Sequence, residues 1–144
     1  MSSALRSYLA EYASFHRTSG NQACHYAAIP VIVLSIFALL ARIPVLPLGG
    51  FTVTLSEVVI VLSTVYYLTL DARLALLMLV ASLGLDALGR FLPPTLALSL
   101  FVLGWVIQYV GHYVYEKKSP AFYRNLVHLL VGPLWILAKA LGRA

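Results

Sequence analysis

Four histidines carry most of the chemistry this sequence offers: His16, His25, His112 and His128. Neutral imidazole is the commonest side-chain ligand for metals such as iron, zinc and copper. Four imidazoles are enough to fill a metal site or to leave one position open. No two of them are closer than nine residues. The clustered H-x-x-H-H boxes of the integral di-iron desaturases and hydroxylases are therefore absent. The single cysteine, Cys24, permits neither an intrachain disulfide nor a cysteine-based metal motif. It neighbours His25 but projects about 100° away from it on a helix, which argues against it as a ligand.

Each histidine has polar company. Gln108, His112 and Glu116 are spaced i, i+4, i+8 and share a helix face. Asn21 precedes His25 by four residues, and Asn125 precedes His128 by three. Such neighbours orient imidazoles from behind, or they act as glue between helices. Both readings stand at this point. Buried polar residues in a membrane are functional candidates by default. A faint echo links two of the histidines, because His25 and His128 each precede a proline, Pro30 and Pro133, by five residues. Each proline frees a backbone carbonyl and kinks its helix. With seven prolines in the chain, coincidence explains this more simply than duplication.

These side chains must be positioned by a membrane protein. The chain has 144 residues, of which 61% are apolar and 10% charged, against about 45–50% and 25% in soluble domains. One domain this size has no interior large enough for that apolar surface, whereas lipid covers it. Residues 3–15 carry Leu5, Tyr8, Leu9, Tyr12 and Phe15 at helical spacing. They predict an amphipathic helix on the membrane surface or under the bundle. The N-terminal twenty residues lack the central apolar run of a signal peptide, so the first apolar run is expected to remain in the protein. Apolar stretches follow at 23–41, 51–70, 74–92, 95–115 and 126–141. A span needs about 20 residues. The three middle stretches meet that, the first barely does, and the last is short enough to be re-entrant or tilted. The expected fold is an all-α polytopic bundle of four to five spans with an N-terminal amphipathic helix. No β structure is expected, because an open sheet edge cannot face lipid.

If 51–92 makes two spans, all four histidines fall at one side of the bilayer. Its 42 residues are too many for one span, and Asp71 sits in the middle. On that same side lie Arg6, Arg17, Arg73, Lys117, Lys118 and Arg124, with Arg42, Arg90, Lys139 and Arg143 opposite. Six against four favours a cytoplasmic histidine side. The net charge of +5 is spread along span edges and forms no stripe with interleaved aromatics. No nucleic-acid partner is expected.

Two stretches of the chain resemble a known family. The first is His16-x4-Asn21-x3-His25-x4-Pro30. The second is Gln108-Tyr109-Val110-Gly111-His112, continuing through Glu116-Lys117-Lys118-Ser119-Pro120-Ala121 to Asn125, His128 and Pro133. Together they look like the fungal and bacterial membrane 2-hydroxy fatty acid dioxygenases of fatty acid α-oxidation. The middle, about 51–92, matches only in hydrophobicity. The resemblance implies an Fe(II) enzyme that uses O2 to shorten a 2-hydroxy fatty acid by one carbon, losing the carboxyl carbon. It also implies His16, His25, His112 and His128 as the catalytic, metal-holding set. Asn21, Gln108, Glu116 and Asn125 would stand behind them. Arg17, Lys117, Lys118 and Arg124 are candidates to receive the substrate carboxylate, although membrane anchoring explains each equally well. Ala28 stands where the family commonly has glycine, and Lys139 where an acidic residue is expected. Neither change removes a histidine. Two other classes fit the bare residues: a b-type haem protein with axial histidines, and a non-enzymatic scaffold or carrier with histidines at the interface.

Overall fold

The computed structural model describes residues 1–143. Its first helix, α1 (Ser3–Ser14), begins where the Ser2 hydroxyl accepts the Leu5 N–H. Leu5, Leu9 and Tyr12 are buried along its inner stripe, followed by Phe15 just past its end. α1 thus packs under the bundle, and its apolar face meets protein. α2 (Ser19–Leu40) is capped by the Thr18 hydroxyl and runs through Pro30, which sits on an exposed position. α3 (Leu55–Leu70) starts with the Glu57 carboxylate accepting the Thr54 N–H. α4 (Ala72–Gly89) is capped by Asp71 and α5 (Pro94–Val110) by a proline in its first turn. α5 continues as one π-helical turn, Gly111–Glu116. A short 3-10 turn, Ala121–Tyr123, leads to α6 (His128–Ala140).

The chain is a membrane helical protein. Three helices have the length and apolar character to cross a bilayer: Ser19–Leu40, Ala72–Gly89 and the α5 unit, Pro94–Glu116. Outward positions of α3, α4 and α5 such as Leu62, Val80 and Val102 are more than half exposed, which suits them to face lipid. α2 is the central helix and packs against α3, α4, α5 and α6. Gly104 lets α5 come close to it, because a Cβ there would lie 2.5 Å from Ile32 Cγ1. Small residues at such crossings are how membrane helices approach without a hydrophobic driving force between them.

Two expectations need correction. A two-stranded antiparallel hairpin, β1 (Pro44–Leu48) with β2 (Phe51–Thr54), occupies the loop between α2 and α3. The rule against open strand edges holds only inside the hydrocarbon. This hairpin extends beyond the helix ends, beside Arg42, whose guanidinium donates to the carbonyls of Ala38 and Leu92. The hairpin takes the first residues of the expected 51–70 span. The helix that remains has 16 residues, about 24 Å of rise.

The second correction concerns the side assigned to Lys139 and Arg143. Asp71, in the turn between α3 and α4, takes the Met1 amine at 3.0 Å and the Arg143 guanidinium at 3.0 Å. Ser2 N–H donates to the Leu70 carbonyl at 2.9 Å. At the start of α6, Tyr67 of α3 donates to the Leu130 carbonyl; at its end, beside Arg143, Lys139 reaches Gln22 at 2.7 Å. The segment after α5 dips until Phe122 packs on Trp105, and α6 then climbs back along α2. Both ends of this segment lie at the histidine end of the bundle. Lys139 and Arg143 therefore join the six basic residues counted there, leaving Arg42 and Arg90 opposite.

The Asp71 carboxyl is held well below the usual carboxylate range, chiefly by the Leu74 N–H and further by Arg143 and the amino terminus. A carboxyl depressed in the folded state contributes stability above its ordinary value, near pH 4, and loses it as pH falls further. Asp71→Asn is expected to cost about 1–3 kcal/mol, because two cations lose their anionic partner. Thermal unfolding in detergent checks this: the variant should have a lower Tm at pH 7, and the gap should narrow below pH 4.

Candidate metal centre

His16 lies in the link between α1 and α2, His25 in the second turn of α2, and His112 in the π turn that ends α5. These three meet. Their ligand nitrogens all lie within 4.8 Å of one another, and the residues are 2%, 2% and 3% exposed. Burial holds the His16 imidazole well below its usual range, so it is neutral at pH 7 and free to coordinate.

The tautomers follow from the backbone. His16 Nδ1 lies 2.6 Å from the Tyr12 carbonyl, and His25 Nδ1 lies 2.9 Å from the Asn21 carbonyl. A carbonyl only accepts, so both Nδ1 atoms carry the proton and both Nε2 atoms present a lone pair. Those two Nε2 atoms face each other at 3.0 Å. Two lone pairs at that distance repel unless a cation lies near both. The Nδ1 of His112 is buried with no hydrogen-bond partner. A nitrogen-only set, two of whose three rings are oriented from behind by carbonyls, fits a first-row metal ion.

The link is tied down by Glu116. Its carboxylate accepts the backbone N–H of Arg17 and of Thr18, the Thr18 hydroxyl, and the Asn21 amide, at 2.9–3.3 Å. Asn21 in turn donates to the Phe15 carbonyl at 3.0 Å. The carboxylate sits at the N-terminus of α2, where free N–H groups and the helix dipole favour an anion. Glu116 touches no imidazole; it fixes the turn from which His16 and His25 project. The π turn buries His112 and Glu116 together, and Lys117, at φ 54°, ends it.

The remaining candidates are placed as follows. His128 does not join the cluster. Its ring packs near Tyr8 and Tyr12, and its Nε2 is 3.3 Å from Glu11 in an alignment that makes no hydrogen bond. Asn125 caps the start of α6 through the Val127 N–H and does not reach the three histidines. Arg17, Lys117, Lys118 and Arg124 are exposed, and the Arg124 guanidinium lies over the Phe15 ring. A cavity of about 150 Å³ opens from the cluster into the bundle. All four histidines, Tyr12 and Gln108 line it, and below them come aliphatic walls from Ile32, Val33 and Ile36. No lysine or arginine lines it among the described residues.

The sequence profile of one family, described as 2-hydroxy-palmitic acid dioxygenase Mpo1-like, matches residues 2–144. The chain belongs to this Mpo1-like family. A relative, the 2-hydroxy-palmitic acid dioxygenase MPO1 of Saccharomyces cerevisiae, is 33% identical over 138 residues, covering 95% of this chain and 79% of its own. No solved structure matches.

Two residues of this Mpo1-like site are given no role by the motifs. Tyr12 supplies the carbonyl that fixes His16 and stacks its ring on the imidazole at 4.0 Å. It was legible only as one apolar position of α1, although it precedes His16 by four. Gly111 brings the two helices together at the site, since a Cβ there would lie 2.6 Å from Asn21 Oδ1 and 2.9 Å from Cys24 Cβ. Its place directly before His112 was the available signal.

Proposed function

We propose that this chain is an Fe(II)-dependent dioxygenase of 2-hydroxy fatty acids, converting the acid and O2 into the fatty acid one carbon shorter, carbon dioxide and water. One observation carries the reading. Two imidazole lone pairs face each other at 3.0 Å beside a third histidine, at the head of an apolar cavity. The chain belongs to a family whose Saccharomyces cerevisiae member is named for 2-hydroxy-palmitic acid.

His16, His25 and His112 would hold the ion. Iron, when bound, supplies the activation of O2 that a protein side chain does not provide. The carbonyls of Tyr12 and Asn21 keep the Nδ1 protons in place and leave each Nε2 free. His128 serves the site from the cavity wall. Ile32, Val33 and Ile36 receive the first carbons of the acyl chain and keep water out, and the rest of the chain runs between helices toward lipid. Arg17, Lys117, Lys118 and Arg124 draw the anionic substrate to this face by their field. With eight of ten basic residues on it, this face is the cytoplasmic one. A cavity of about 150 Å³ favours a single ion over a porphyrin.

Protein purified in detergent, loaded anaerobically with Fe(II) and given 2-hydroxypalmitate is expected to consume one O2 per acid and release pentadecanoate, read by an oxygen electrode and mass spectrometry. Shortened product without O2 uptake, or O2 uptake without shortened product, overturns the proposal.

A further inference from the structure

Gln108 stands one turn before His112 on the inner face of α5 and lines the same cavity. It is 9% exposed, and its Oε1 is buried with no hydrogen-bond partner. A carboxamide in that position is usually explained as glue between helices. Here it bonds no helix through that oxygen. Glu116 is taken up with the turn before α2, and Asn21, whose Oδ1 is also unpaired, gives its amide N–H groups to that turn and does not line the cavity. Leaving such a group unsatisfied in an apolar wall is unfavourable. The position therefore calls for a ligand that supplies the missing partner.

The level of Gln108 in the cavity narrows the ligand chemistry. His112 lies one turn above it, and Ile32 packs at Gly104, one turn below it, with Val33 and Ile36 also on the cavity wall. It thus sits at the junction between an acid's head and its alkyl chain. The substituent on the second carbon falls at that junction. A carboxamide both donates and accepts, as a hydroxyl does. A neutral amide pairs well with a neutral hydroxyl, and among the described residues no lysine or arginine lines the cavity to compete for it.

We infer that Gln108 is the specificity-determining residue that recognises the 2-hydroxyl of the substrate. This rests on the dioxygenase reading above. A site built to hydrogen-bond a hydroxyl rejects the analogue lacking it, because the site's own polar group is then left unpaired. Gln108 touches the substrate and not the ion, so its loss changes discrimination and leaves metal content intact.

The test is anaerobic equilibrium binding of 2-hydroxypalmitate and of palmitate to the Fe(II)-loaded protein. The wild-type chain is expected to prefer the hydroxy acid by about tenfold or more, the size of one hydrogen bond with a buried partner. In Gln108→Met, similar in length and without hydrogen-bonding groups of that kind, the ratio is expected to fall to near one with iron content unchanged. Gln108→Ala provides the same readout if the methionine variant does not fold. A preference that survives in either iron-replete variant overturns the assignment of Gln108 alone. Loss of iron in both variants also overturns it, by making Gln108 a support of the metal centre. Absence of any preference in the wild type removes this inference together with the reading on which it rests.

Discussion

Replacing His16, His25 or His112 with alanine is expected to leave the purified protein without stoichiometric iron, while His128→Ala keeps its metal. The three residues offer nitrogens within 4.8 Å of one another, and His128 is turned toward Glu11. Removing one ligand of three leaves a two-nitrogen site, and metal affinity should fall by more than the 10–100-fold typical of losing a supporting group. Metal analysis of each variant after Fe(II) loading and desalting checks this. Retention of full iron in any of the three, or its loss in His128→Ala, would redraw the ligand set. His128→Ala should still lose activity, since a ring that lines the cavity is replaced by a void.

Glu116→Ala is expected to lower iron affinity by 10–100-fold although Glu116 touches no imidazole. Its carboxylate accepts from Arg17, Thr18 and Asn21, and hydrogen bonds to a charged acceptor contribute about 1.5–3 kcal/mol each. These contributions do not add fully within one network. Even one such bond is enough to loosen the turn that aims His16 and His25 at each other. Glu116→Gln keeps some acceptor capacity and should fall between the two. Titration of Fe(II) into apo-protein against a competing chelator gives the affinities. An unchanged affinity in Glu116→Ala would show that the turn holds itself. The variant should also unfold at a lower temperature, because backbone N–H groups at the start of α2 lose their acceptor.

Much of this organisation was legible in the residues. The apolar stretches marked the helices, because lipid leaves a chain few alternatives to helical hydrogen bonding. The parity of the spans placed the histidines at one end, and the end of α5 with the start of α2 now brings three of them together. Spacing on one helix, however, says nothing about rotation between helices. His128 shares the end and lines the cavity, yet its ring turns toward Glu11 of α1, which no motif indicated. Glu116 was legible as polar company for His112. Its partners lie 95 to 99 residues away, and only the fold reveals them. The hairpin at β1 and β2 was hidden because hydropathy does not separate an apolar hairpin from an apolar helix. The return of α6 to the histidine end depended on Asp71 pairing with Arg143, a long-range pairing that periodicity cannot register.

The three converging histidines come from distant parts of the chain. His16 and His25 leave the ribosome early and must wait for His112, which arrives after the intervening helices have entered the bilayer. A chain with a misplaced middle helix would present its late histidine to the wrong compartment. On the proposed reading, metal occupancy reports on the biogenesis of this protein: an ion would be captured only by molecules whose insertion is complete and correctly threaded.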